Sequence, residues 1–321
     1  MKNIFLILVF SILCFSGSCQ SKKKNKKSNQ DFSVNTQVPS KTLIGPIAES
    51  KIHKLIKGSD KGDHYDASGV YYLDNYFYVI FDNRYEIGKI NSTLPHSSEL
   101  NSLIGNKNGN SNYEAITCAK SNGIVKWFTV EESVARDTAY YPRINEFDAD
   151  LKFVKTEWVE YPFTAKHMNK AFEGLAAIKR NNVDYMLGLV EGTGKIIVLQ
   201  LINDSWRKVT EFTIPYVFDD YSDLTVYRNT IAVCSQEDAK LWVGKLDENT
   251  WSVVDKGIEY DFPKGNEDGT VGAGNLMIYG NVEGVSFIND STIVTCTDRM
   301  KDKQPSYQKH KDQSVQVFRL R

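Results

Sequence analysis

Short runs of alternating apolar and polar residues, separated by Gly, Asn, Asp and Ser turns, fill the chain from about residue 47 to its end. That period of two predicts strands, and no long apolar stripe at helical spacing competes with it. The runs are self-similar. Five places share a polar turn, then Ser or Glu, then usually a small residue, then an aliphatic residue opening a strand. They are Asp66-Ala67-Ser68-Gly69-Val70, Asn112-Tyr113-Glu114-Ala115-Ile116, Ala171-Phe172-Glu173-Gly174-Leu175, Asp220-Tyr221-Ser222-Asp223-Leu224 and Asn281-Val282-Glu283-Gly284-Val285. Behind each comes a second run ending in acid, at residues 77–82, 125–132, 185–191, 230–238 and 292–298. A third run follows in every copy. A fourth follows in the first four, for example at residues 153–159 and 208–214.

Four-stranded units of roughly fifty residues, repeated in this way, predict an all-β fold, a five-bladed β-propeller. The fifth copy runs out of chain after its third strand, at residues 315–320. Residues 51–56, ahead of the first copy, are the candidate for its missing strand. An amino-terminal strand completing the last blade closes the ring and hides an open edge. A six-bladed ring is the alternative, but the sequence holds no sixth copy of the turn.

The amino terminus adds an address. Lys2 precedes an apolar run from Ile4 to Phe15, too short to cross a bilayer and of the length of a signal h-region. Ser16-Gly17-Ser18-Cys19 ends it, which resembles a bacterial lipoprotein signal with Cys19 as the lipidated first residue of the mature chain. Ser16 stands where a Leu is usual, and cleavage at the same bond with Cys19 left free is the alternative. Lys22, Lys23, Lys24, Lys26 and Lys27 follow, a basic run that can rest on anionic head groups or serve as a solvated tether. The expected division is a signal peptide at 1–18, a lipid-anchored polar linker at 19–46 and the propeller at 47–321. This places the protein in the cell envelope, periplasmic or surface-exposed, as a membrane-anchored monomer.

Composition sharpens this picture at three points. With 39 basic and 40 acidic residues the net charge is −1, which removes the electrostatic case for a nucleic-acid partner. Aromatic residues make up 12% of the chain, a bias toward strands. Beyond the signal, Cys118, Cys234 and Cys296 are an odd number in strand-like surroundings, so buried thiols are expected rather than a disulfide framework.

The repeated turn carries the candidate chemistry. The innermost strand of each blade lines the central channel, so Ser68, Glu114, Glu173, Ser222 and Glu283 should converge at one mouth. Three carboxylates and two hydroxyls form an all-oxygen cage that repels itself unless a cation compensates it. Calcium accepts six to eight oxygens with flexible geometry, whereas magnesium demands a tighter octahedron, so calcium is the expected ion. The alternative is that these residues only cap strands.

On these residues the chain resembles the SdiA-regulated family and the calcium-activated nucleotidases (apyrases), in which such positions surround a central calcium. Asp223-Leu224 through Ala232, with Lys240-Leu241-Trp242-Val243, resembles an apyrase stretch beginning Ser-Asp-Leu. Asp82-Asn83-Arg84 resembles the apyrase Asp-Asp-Arg, with Asn83 in place of the middle Asp. The closing copy, Asn281 through Asp298-Arg299 to Leu320, is similar to the esterase-like phytase family. The resemblance implies a calcium-binding propeller and, among its activities, hydrolysis of a phosphoester. Under that reading Arg84 and Arg299 would clamp the phosphate of a small phosphorylated molecule, and Asp82 and Asp298 would serve the attacking water. The alternative is a non-catalytic module that binds some other surface ligand and uses calcium to pin the blades. No G-x-S-x-G nucleophile occurs, and the glycine-rich stretch 261–281 is expected as a flap over the mouth or an exposed tip.

Overall fold

The computed structural model describes residues 38–121, 123–301 and 303–321. The signal segment, Cys19 and the lysine run lie outside the described residues. Five sheets of antiparallel strands follow one another along the chain. Blade one holds Ala67–Leu73, Tyr76–Phe81, Arg84–Asn91 and Ser102–Ile104, and blade two holds Tyr113–Ser121, Ile124–Arg136, Ala139–Phe147 and Phe153–Trp158. Blade three is built from Phe172–Arg180, Val183–Val190, Lys195–Ile202 and Ser205–Thr213. Asp223–Tyr227, Thr230–Ser235, Lys240–Lys245 and Ile258–Asp261 make blade four, and Val282–Asn289, Thr292–Thr297 and Ser314–Arg319 begin blade five. The first strand of every blade touches the first strands of both neighbouring blades, so the inner strands form a closed ring. This is a five-bladed β-propeller.

Local sequence explains the up-and-down path. Asp74-Asn75, Asn181-Asn182 and Asn203-Asp204 take left-handed backbone, with φ of 49° and 65°, 47° and 62°, and 50° and 56°. Two such residues in succession make the tight hairpin turn whose twist matches the flanking strands, and Asn and Asp tolerate that region best. Burial then fixes the packing. The described core divides into five apolar clusters, and each is one interface between neighbouring blades. Phe77, Val79 and Phe81 of blade one, for example, meet Val294, Cys296, Val315 and Val317 of blade five. Each side chain buried in full contributes about 1.5–3 kcal/mol. Cys118, Cys234 and Cys296 are free thiols inside these clusters.

The ring closes with an amino-terminal strand, but not with the residues expected. Ala48–Lys51 pairs antiparallel with Ser314–Arg319, in the register Ala48↔Val317 to Lys51↔Ser314. Ile52–Leu55 turns into one helical turn that drops Ile52 and Leu55 into the core between blades five and one. The upstream segment also departs from a bare linker. Ser40–Thr42 adds a fifth, parallel strand to blade four, paired Ser40↔Glu259 to Thr42↔Asp261, and Leu43 is buried beside it. The propeller therefore takes in residues 38–46. Among the described residues no helix is long and apolar enough to cross a membrane.

Candidate metal centre at the channel mouth

Pairing along each inner hairpin shifts register at one residue. In blade one the shift falls between Ala67 and Gly69, in blade two between Tyr113 and Ala115, in blade three between Phe172 and Gly174, and in blade five between Val282 and Gly284. The residues it sets out of the ladder are Ser68, Glu114, Glu173 and Glu283. A bulge of this kind kinks the strand and re-aims one side chain. Blade four reaches the same place by ending its ladder at Asp223↔Cys234, with Ser222 just ahead. All five side chains line one cavity of about 290 Å³ at the end of the channel.

Small residues behind the bulges let the strands close in. A Cβ on Gly284 would lie 2.8 Å from the Gly69 Cα, and one on Gly174 would lie 2.8 Å from the Leu224 nitrogen. The two serines tie neighbouring blades together. Ser68 donates to the Tyr113 carbonyl, and Ser222 donates to the Val282 carbonyl at 3.0 Å. Each hydroxyl keeps lone pairs with which it can still accept or ligate.

A second ring surrounds the first. Asp82, Glu132, Glu191, Gln236 and Asp298 stand just past the ends of the inner hairpin ladders and line the same cavity, together with Asn169, Asp220 and Lys301. Eight carboxylates line the cavity with one ammonium, Lys301, in its wall, and Lys170 pairs with Glu191 beside it. Carboxylate oxygens of Glu132, Glu173 and Glu191 all lie within 4.8 Å of one another. Glu132 also accepts the Ala171 N–H at 2.9 Å, Gln236 donates to Glu283, and Lys301 lies 3.8 Å from Asp298.

The electrostatics follow from this crowding. Burial, then the neighbouring Glu132, Asp82 and Asp298, push the Glu114 pKa well above the usual carboxylate range. Glu173 is pushed up by burial and by Glu114, Glu132, Glu283 and Glu191, and Glu283 by burial and Asp298. In the outer ring burial raises Asp82 to about 6, and burial with like-charged neighbours raises Glu132 and Asp298 to about 7. Asp82 Oδ1 is buried without any hydrogen-bond partner. An all-oxygen donor set, surplus negative charge and an orphaned carboxylate oxygen fit a hard divalent cation. Among the described residues, the carboxylates close enough together to share one ion are Glu132, Glu173 and Glu191; of the expected ligands Glu114, Glu173 and Glu283, all three line the cavity but only Glu173 belongs to that group.

The residues expected to clamp a phosphate divide. Asp82 and Asp298 line the cavity, whereas Arg84 and Arg299 do not. Arg299 turns outward to pair with Asp66 at 2.9 Å and is about half exposed. Arg84 lies over the Tyr65 ring, pairs with Glu86 at 3.3 Å and donates to the His64 carbonyl at 2.7 Å. Both guanidinium groups are already partnered, so the cation of the mouth is Lys301. The loop at 261–281 contributes nothing to the cavity wall. It folds on itself through bridges from Gly265 to Val271 and Leu276 and packs on blade five, where Gln308 donates to the Met277 carbonyl at 3.1 Å. It is no flap over the mouth.

Fold and site together define a β-propeller with an acidic, cation-accepting mouth. Neither a protein-family model nor a curated protein sequence matches the chain. Among solved structures it is similar to glutaminyl cyclase of Myxococcus xanthus, at 10% identity and a TM-score of 0.48, over 89% of this chain and 100% of that one. It is similar to a luciferin-regenerating enzyme at 11% identity and a TM-score of 0.47, over 86% and 95%. It is also similar to the calcium-binding protein regucalcin of Agrobacterium tumefaciens strain C58, at 6% identity and a TM-score of 0.47, over 88% and 95%. Likenesses this distant carry no argument about ligand or activity.

Proposed function

We propose that this protein is an exported, lipid-anchored propeller that holds calcium at its channel mouth. The observation that carries the reading is the arrangement of four bulges, each of which turns a Ser or Glu into the same oxygen-lined cavity. Bulges cost ladder hydrogen bonds, and repeating that cost in blade after blade at one level serves the position of the side chain rather than the sheet. The resemblance of the same turns to calcium-centred propeller families points the same way. Isothermal titration of the full-length protein tests it. Calcium should bind with one strong site and magnesium much more weakly, and a protein that takes up neither ion ends the proposal.

A second reading, calcium-dependent phosphoester hydrolysis, has one observation in its favour. The cavity is larger than one ion requires, and carboxylates remain beside the three ring glutamates. Calcium would supply a Lewis acid for the phosphoryl oxygen. Asp298, Asp82 or Glu132 could then take a proton from water, and Lys301 could meet the departing charge. The charge balance weighs against it. Eight carboxylates against Lys301 and the Lys170 partner of Glu191 leave an excess that a single calcium reduces by only two, a poor setting for an anionic substrate. Calcium binding without turnover of nucleotides, inositol phosphates or aryl phosphates would leave the binding module alone in place.

A further inference from the structure

The carboxylates of the mouth fall into two sets. Glu132, Glu173 and Glu191 lie close enough to share one ion, and among the described residues no other three carboxylates do. Glu114, Asp220, Glu283 and Asp298 line the same cavity outside that group. Asp220 and Asp298 are only 4% and 7% exposed. Each commits one oxygen to the protein: Asp220 Oδ1 accepts from the Ser235 hydroxyl and the Glu237 N–H, and Asp298 Oδ1 accepts the Arg299 N–H. Among the described residues the second oxygen of each accepts no hydrogen bond, with Lys301 standing 3.8 Å from Asp298 Oδ2. Glu114 accepts none at either oxygen. Carboxylates buried in this way are costly until a donor reaches them. The Lys301 ammonium is within electrostatic reach of Glu114, Glu283 and Asp298 together, yet its side chain is 70% exposed, so it leans over the set from its edge. The cavity in front, about 290 Å³, is at the small end of the range for small-molecule sites.

We propose that the mouth takes a small organic dication, an alkyl diamine, beside its calcium, with the ammonium groups on Glu114, Asp220, Glu283 and Asp298. The inference rests on the calcium reading of the mouth and names the class of ligand that would join the ion there. Oxygens too far apart to close on one bare ion can be spanned by ammonium groups, each of which donates three charge-assisted hydrogen bonds. Charge selects the same class. With one calcium bound, eight carboxylates still outnumber the positive charges of the ion, Lys301 and Lys170, so the cavity draws in a cation and keeps out an anion. Lys301 is the chain's own ammonium at this set and competes with the ligand.

The probe is 1,4-diaminobutane, titrated calorimetrically into the full-length protein at saturating calcium. One molecule should bind per protein, and the neutral counterpart 1,4-butanediol should not compete. Glu114→Gln and Asp298→Asn should each weaken diamine binding about tenfold, the worth of one hydrogen bond to a charged group. Both should weaken it more than they weaken calcium, and Glu191→Gln should do the reverse. Lys301→Met should strengthen diamine binding, and at a largely exposed position it carries the test alone if a mouth variant does not fold. Calcium uptake without diamine binding, a second calcium bound in place of the diamine, or unchanged diamine affinity in the Lys301→Met protein would overturn the proposal and leave the calcium reading standing. Diamine binding by a protein that takes up no calcium would end the calcium reading and keep the second set of carboxylates as a cation site.

Discussion

The Asp223 carboxylate of blade four accepts the backbone N–H of Val285 in blade five at 2.9 Å, and that of Leu224 in its own strand at 2.7 Å. A third backbone N–H, from Leu175 of blade three, reaches the same carboxylate. Asp223 follows Ser222 in the repeat, where the other blades carry Gly69, Ala115, Gly174 and Gly284. Where those four let neighbouring strands close in, Asp223 instead reaches across and joins three blades at the axis. Burial raises its pKa, and the three N–H groups pull against that rise.

Removing this acceptor should therefore be costly. Asp223→Ala leaves three buried N–H groups without partners, and a loss of about 2–5 kcal/mol is expected. Asp223→Asn should also destabilise, because its amide turns donors toward a donor. Gly284→Ala tests the close approach itself. Its Cβ would lie 2.7 Å from the Cys296 sulfur and 2.8 Å from the Gly69 Cα, and about 1–3 kcal/mol should be lost. Denaturant unfolding of the three variants measures all of this, and near-wild-type midpoints would contradict the axial arrangement.

Much of this was legible in the sequence, and the gaps have physical causes. The five turns announced the blade number and the inner ring, because a turn that must aim one oxygen at an axis keeps its grammar. The closing strand was misplaced by about three residues. Ile52, Leu55 and Ile56 stand at i, i+3 and i+4, a helical period hidden in a run too short to distinguish from a strand. In blade four the second run is expected to end in acid at residue 238. The structure instead uses Asp238 to accept the Asp219 N–H at 2.8 Å, while Gln236 takes the wall position. Arg299 directly follows the wall residue Asp298, and successive side chains at a strand end point to opposite sides, whereas Arg84 opens the next strand beyond the turn at Asp82-Asn83 and is held over Tyr65.

The carboxylate rings set a pH dependence with a definite sign. Asp82, Glu132 and Asp298 have folded pKa values raised to about 6, 7 and 7 by burial first, above their unfolded values. Groups of this kind stabilise the fold below pH 4, and the contribution is lost as pH rises through 6 to 7. The metal-free protein should melt at a lower temperature at pH 8 than at pH 5. Calcium should reverse the order, since it binds the ionised ring and adds stability by mass action, about 2.7 kcal/mol at a hundred times its Kd. Scanning calorimetry with and without chelator checks both arms. A metal-free melting temperature that rises from pH 5 to pH 8 would contradict the assignment.

Glu173 belongs to both rings in a way the other ligands do not. It is a bulge residue of blade three, and it lies within 4.8 Å of Glu132 and Glu191 in the outer ring. Glu173→Gln should lower calcium affinity by at least tenfold and raise stability in chelator, because it removes a charge from the most crowded part of the cluster. Those opposite signs separate a metal ligand from a strand cap, for which both measurements would fall together.

The arginines and the lysine part the two functional readings. Arg299 is half exposed and paired with Asp66, so Arg299→Ala should change calcium affinity less than twofold and stability by at most about 1 kcal/mol. Arg84→Ala should destabilise more, since it strips a partnered guanidinium from the Tyr65 ring. Lys301→Met removes the cation of the cavity wall. If the protein turns over a phosphoester, activity should fall with Lys301 and survive Arg299→Ala. The reverse pattern would restore the arginine clamp and require the mouth to rearrange.

Ring closure makes the last prediction, because the two amino-terminal strands serve different blades. Deleting residues 20–37, all within the expected polar tether, should leave the melting temperature unchanged. Deleting 20–46 takes away Ser40–Thr42 and the buried Leu43, which exposes one edge of blade four that the other four strands still complete. The loss should be moderate. Deleting 20–56 also removes Ala48–Lys51 and the turn that buries Ile52 and Leu55. Blade five then lacks its outer strand, its edge is open to pairing with other chains, and the wedge between blades five and one loses core. Each buried aliphatic side chain is worth about 1.5–3 kcal/mol, so two of them together with four residues of ladder are a large part of a typical domain's total stability. This deletion should aggregate or fail to fold, and the three truncations should rank in that order by thermal denaturation. A stable, monomeric protein lacking residues 20–56 would show that the propeller does not need its amino-terminal strand.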